Sequence, residues 1–168
     1  PIYAKLLIEI DGWASGTAFL SMEIEPKFQM FPARADIFID GMKIGKLPWF
    51  ELRKQKKERI YFGEDLNFLV KKTYLKDYTK EHFFGNKKTV EKIWMYEIQN
   101  NHSQIVQAIL IDRIPVSRHS DYKVKVKYSL SPTKVEENGK VIWNIKLKPK
   151  ENKVIKINVK IKMPKEYK

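Results

Sequence analysis

Between Tyr122 and Met163, apolar residues and lysines alternate with a period of two in three successive segments. Tyr122, Val124, Val126 and Tyr128 share one parity, and Lys123, Lys125 and Lys127 take the other. Val141, Trp143, Ile145 and Leu147 repeat the pattern, with Lys146 and Lys148 between or just beyond them. Ile155, Ile157, Val159, Ile161 and Met163 repeat it again, against Val154, Lys156, Asn158, Lys160 and Lys162. Successive side chains on a strand point to opposite faces of a sheet. Each segment therefore presents one greasy face to bury and one cationic face to leave wet, which predicts antiparallel β structure.

Strand signals continue through the rest of the chain, and helical periodicity is almost absent. Ile2–Ile10 alternates Ile2, Ala4, Leu6, Ile8 and Ile10, and Thr17–Glu25 puts Leu20, Met22 and Ile24 on one face. Asp40-Gly41 between two apolar runs is a strong short-range hairpin signal. Phe50–Lys57 reads as a helical turn or a hairpin tip, and 59–62, 67–74, 90–100 and 104–112 read as further strands. Roughly eleven or twelve short strands spaced by turn residues predict a sandwich. The expected class is all-β, an antiparallel β-sandwich that is immunoglobulin- or fibronectin-like in its C-terminal half. The expected organisation is a β-rich part over 1–75, a charged loop over 76–88 and a sandwich over 89–168, or one continuous domain. Folding a chain of 168 residues buries roughly 70% of its unfolded surface, enough for a core without staples.

There is no cysteine, so disulfides and thiolate metal sites are excluded. No apolar run reaches the length of a membrane helix. The chain begins at Pro1 and enters a strand pattern at once, which is read as a cut edge of a longer protein or as a processed mature start. The net charge is +13, and the 28 lysines far outnumber the 5 arginines. A lysine-rich face attracts phosphate, acidic polysaccharide or anionic lipid. Lysine lacks the planar fork with which arginine grips phosphate, and it also blunts exposed strand edges. A solvated lysine surface is therefore the alternative to a specific anionic ligand, whose candidate face is Lys123, Lys125, Lys156 and Lys160.

Four segments, in order, resemble one bacterial family: 31–46 (FPARADIFIDGMKIGK), 60–72, 83–126 and 137–165. The matching positions include Pro32, Asp40, Gly41, Gly45, Phe62, Gly63, Phe84, Gly85, Asn100, Asp112, Pro115, Val116, Ser117, Asn138, Gly139, Trp143, Leu147 and Pro149. The set resembles the C-terminal domain of unknown function of mucoidy-inhibitor-A-like proteins. Phe31-Pro32-Ala33 departs from the family's Leu-Pro-Gly-like step. The resemblance implies a longer parent with a separate N-terminal domain and a helical middle. It implies no reaction.

Asp112, Ser117 and His119 lie close in sequence, but a triad is defined by geometry and there is no nucleophile elbow. Asp112, Pro115 and Ser117 are instead expected to form a structural corner, the short polar side chains bonding backbone groups. His82, His102 and His119 are isolated, with no metal-ligand spacing, and no glycine loop cradles phosphate. No catalytic residue, cofactor or metal is expected. Trp94, Tyr96 and Trp143 fall on core rows. Trp13, Trp49, Phe50, Phe83 and Phe84 break the strand period. Phe83, Phe84, Lys87 and Lys88 are the candidate partner contact, because apolar loop tips on a rigid scaffold are costly unless they meet something. Trp49 and Phe50 are expected to plug one end of the sandwich. The leading reading is a non-enzymatic interaction module that binds a protein partner or itself. Binding of an anionic polymer and carbohydrate binding are the alternatives.

Overall fold

Main-chain pairing follows the period-two rows closely. The computed structural model describes residues 4–39, 41–75, 81–84 and 87–164. In chain order the strands are β1 (Ala4–Asp11), β2 (Thr17–Ile24), β3 (Met30–Ile39), β4 (Met42–Leu52), β5 (Glu58–Glu64), β6 (Phe68–Tyr74) and β7 (Glu81–Phe84). They continue with β8 (Lys87–Asn100), β9 (Val106–Arg113), β10 (Lys123–Tyr128), β11 (Lys134–Val135), β12 (Lys140–Leu147) and β13 (Asn152–Pro164). Among the described residues there is no helix, and so none long and apolar enough to cross a membrane.

Two sheets face each other as a β-sandwich. One runs β11-β12-β9-β1-β2-β5, and the other runs β10-β13-β8-β6 with β7 also on β8. Strands from 1–75 and from 89–168 share both sheets: β1 pairs with β9, and β6 pairs with β8. The β1–β9 pairing is parallel, with Ile8 opposite Ala108, whereas every other described pairing is antiparallel. β3 and β4 form a separate two-stranded ribbon with irregular register. It is tied to the sandwich through a small cluster of Ile24, Leu52 and Ile60. Asp40, at its expected turn, lies outside the described residues.

The inward rows make the main core. Val141, Trp143 and Leu147 from β12 meet Tyr96 and Ile98 from β8 and Ile155, Ile157 and Val159 from β13, all essentially solvent-free. Lys123, Lys125 and Lys127 point outward as the alternation requires. Alternation fails in β1, where Leu6 is exposed and Leu7 is buried. The β2–β5 register also shifts between Leu20 and Ser21, where Phe62 of β5 is left without an opposite residue. The segment 76–88, expected as a charged loop, carries β7 and the start of β8, because Glu81–Phe84 pairs its main chain with Lys87–Val90. Phe50–Lys57 is the end of β4 followed by a turn.

Candidate functional site: a groove at one end of the sandwich

β8 and β13 have 14 and 13 residues, whereas β9 and β12 have 8 each. At a rise near 3.3 Å per residue, the longer pair spans about 45 Å and overhangs the facing sheet. The sheets part where β9 ends: Asp112, on its last turn inward, meets Trp94 in the middle of β8. Beyond that point the inner face of β8 and β13 is covered on one side only, and a groove of about 1000 Å³ opens. Its walls include Trp13, Tyr74, Leu75, Ile93, Trp94, Ile114, Pro115, Val116, Val159 and Ile161. Trp13 and Tyr74 are 62% and 61% exposed.

The groove floor is polar and tightly bonded. Asp112 is 1% exposed. Its Oδ2 accepts the indole proton of Trp94 at 2.8 Å and lies 2.8 Å from the Tyr96 hydroxyl. Its Oδ1 accepts the Arg113 amide at 2.7 Å. The Tyr96 hydroxyl is also 2.7 Å from the Gly12 carbonyl, which accepts from Lys72 Nζ at 2.6 Å. Burial, reinforced by the neighbouring Asp112 charge, pushes the Tyr96 phenol far above its ordinary range, so it stays a hydrogen-bond donor. Lys72 also stands over the Tyr74 and Tyr96 rings at 4.9 and 5.6 Å. Three cations, Lys72, Lys92 and Arg113, thus border an apolar groove whose one described carboxylate is buried and engaged.

The expected corner residues fall at this end. Asp112 does bond a backbone amide, but its bonds to Trp94 and Tyr96 across the sandwich were not anticipated. A signal for them exists: Asp112 shares parity with the core residues Ala108 and Leu110. Pro115 lines the groove. The Ser117 hydroxyl donates to the His119 carbonyl at 2.8 Å and accepts the His119 amide at 3.4 Å. His119 Nδ1 stands 3.5 Å from Asp121. Among the described residues no hydrogen bond runs from side chain to side chain between Asp112, Ser117 and His119, so they do not form a relay.

The remaining candidates lie elsewhere. Phe83 pairs with Lys88 and Phe84 with Lys87 on the β7–β8 ladder. Gly85 and Asn86, expected at that loop's tip, and the expectation for the Trp49 and Phe50 side chains lie outside the described residues. On the outer face of the same sheet, Lys125 stands opposite Lys160 and Lys123 opposite Lys162. Glu91 interrupts this field: it approaches Lys160 at 3.4 Å and accepts from Asn158 Nδ2 at 2.6 Å. Lys156 lies two same-face positions along β13 from Lys160, opposite Met95. At the far end of the sandwich His102 Nε2 is 2.8 Å from Asp65 Oδ2. Among the described residues no three histidines or acids cluster as metal ligands.

A family model described as "Domain of unknown function (DUF4139)" matches residues 17–165. No curated protein and no solved structure matches the chain.

Proposed function

The chain belongs to this family of domains of unknown function, and we propose that it is a non-enzymatic β-sandwich interaction module that docks a protein partner at the end groove. One observation carries this: an open apolar groove with exposed Trp13, Tyr74 and Arg113 on its rim. Tryptophan, tyrosine and arginine are the residue types that dominate binding energy at protein interfaces. Tyr74 and Arg113 sit at the ends of β6 and β9, and Trp13 in the turn after β1. The motif resemblance to the C-terminal domain of mucoidy-inhibitor-A-like proteins supports a docking role in the service of a larger bacterial protein.

The test is site-specific photocrosslinking in cells that make the protein. A photoreactive residue at Trp13 or at Tyr74 captures the same protein, and one at Val154, 52% exposed on the outer face, does not. No adduct at either groove position overturns the reading. Phe83→Ser with Phe84→Ser tests the second candidate contact: retained capture by the groove probes would remove the β7–β8 tip from the interface.

A second reading rests on the opposed pairs Lys125–Lys160 and Lys123–Lys162. Like charges directly opposite each other on a sheet are destabilising, and an anionic polymer across this face would relieve them. Heparin retention at low salt that disappears in the set Lys123→Glu, Lys125→Glu, Lys156→Glu and Lys160→Glu supports it. Retention without salt dependence dismisses it.

A further inference from the structure

The groove's charge and chemistry define its occupant more narrowly than a protein of any kind. We infer that the end groove binds an extended acidic peptide segment that carries aromatic or aliphatic anchors. This rests on the docking role proposed above and specifies its partner.

Charge complementarity comes first. Lys72, Lys92 and Arg113 edge the groove, and Asp112, the one acid among its described lining residues, is buried and fully engaged. It cannot swing out to neutralise the rim without leaving the Trp94 indole unpaired in the core. A cationic segment would meet three like charges, and a neutral one would leave them unanswered. Lys72 is already oriented by the Gly12 carbonyl and two aromatic rings, so its charge is presented in a fixed place.

Shape decides between a peptide and a small anion. A small ligand is usually buried over most of its surface in an enclosed pocket. This groove is instead a trough left by the overhang of β8 and β13, with one wall from the strand ends and the exposed Trp13 among its lining residues. Such a trough covers one side of an extended chain and leaves the other in solvent. Apolar side chains at alternate positions would lie against Ile161, Ile114 and Val116, and acids between them would reach the rim.

The experiment uses the full 168-residue chain and three fluorescein-labelled dodecapeptides read by anisotropy. The first alternates Asp or Glu with Phe or Leu, the second replaces every acid with Lys, and the third keeps the acids and replaces every Phe or Leu with Ser. The first is expected to bind at least about tenfold more tightly than either of the others, a difference of about 1.4 kcal/mol. Lys92→Glu with Arg113→Glu, both exposed and outside the core network, is expected to invert the preference between the first and second peptides. The outer-face set of four Lys→Glu changes is expected to weaken binding less than Lys92→Glu with Arg113→Glu does, because those side chains lie on the opposite face of the sheet from the groove. Equal binding of the first and second peptides, no inversion, or loss of binding in the outer-face set would each overturn the acidic-segment inference. Failure here alongside specific crosslinks at Trp13 would leave the docking role standing with a different partner chemistry. Failure of both would remove the docking role as well.

Discussion

Asp112 on β9 accepts the indole proton of Trp94 on β8 at 2.8 Å, so a carboxylate in one sheet is bonded to an indole in the other. The bond sits where the two sheets begin to part. It therefore fixes the depth of the groove as well as the spacing of the core beneath it. Removing the acceptor leaves the Trp94 indole N–H buried without a partner and the Tyr96 hydroxyl with the Gly12 carbonyl alone. Asp112→Ala is expected to cost about 3 kcal/mol and Asp112→Asn about 2 kcal/mol, since charge-assisted bonds are being lost. For a chain of this size that is a fall in Tm of roughly 5–10 °C. Differential scanning calorimetry at neutral pH decides: a change under about 1 °C for Asp112→Ala would show that the network carries no stability.

Tyr96 gives the fold a defined alkaline response. Its phenol is raised above the ordinary value of 10.0 by burial first and by Asp112 second. In the unfolded chain the phenol ionises above that ordinary value, and in the folded chain it keeps its proton. The unfolded state then binds fewer protons, so stability falls with rising pH by about 1.4 kcal/mol per unit. The contribution is intact below pH 10 and is lost above it. Tyr96→Phe is expected to be less stable at neutral pH, by about 1 kcal/mol for the lost hydrogen bond, yet to decline less steeply on the alkaline side. Urea melts across the alkaline range check it, and parallel slopes would refute it.

Two turn glycines separate strain from crowding. Gly139 has φ +86° and a Cβ there would stand 2.3 Å from the Ile114 carbonyl oxygen. Ile114 lines the groove. Gly41 has a similar φ of +80° with nothing within 4 Å. Gly41→Ala is expected to cost about 1 kcal/mol, the left-handed penalty alone. Gly139→Ala is expected to cost about 3 kcal/mol, because backbone must also move. Chemical denaturation of both variants measures the difference. Equal losses would mean that the Ile114 segment yields freely, and the groove wall would then be soft.

The sandwich was legible because its inward rows repeat at a fixed period over long strands. Val141, Trp143, Ile145 and Leu147 can be assigned to a face without knowing what they touch. β7 and β11, with 4 and 2 residues, are too short to show a period, and they form only because a longer neighbour templates them. The parallel partnership of Ile8 with Ala108 joins residues a hundred positions apart and leaves no local trace. Trp13 could be seen to break the pattern, but not what it lines. The groove arises from a difference in strand length between facing sheets, and that difference exists only once register is set. Asp112 was half legible: its bond to the Arg113 amide is a local corner, whereas its bonds to Trp94 and Tyr96 depend on how the sheets are stacked.

At the opposite end of the core, Asn100 does the reverse chemistry of Asp112. It is fully buried, and its Nδ2 is within hydrogen-bond distance of the carbonyls of Gln104, Leu147 and Lys148 at 3.0, 3.2 and 3.1 Å. Its Oδ1 accepts the His102 amide at 3.0 Å. The amide thus ties the β8–β9 turn to the end of β12. Asn100→Asp keeps the shape and replaces the donor with a second acceptor facing those carbonyls. Asn100→Ala removes the donor without adding charge. Repulsion and an unpaired buried charge make the isosteric change the worse one, by an expected 3–5 kcal/mol against about 2 kcal/mol for alanine. The aspartate variant is also expected to recover stability toward acid pH as its carboxyl takes up a proton and becomes a donor again. Equilibrium unfolding at neutral and acid pH tests both statements. An aspartate variant as stable as the alanine one, with no acid recovery, would mean that the three carbonyls are satisfied by other groups and that the turn does not depend on Asn100.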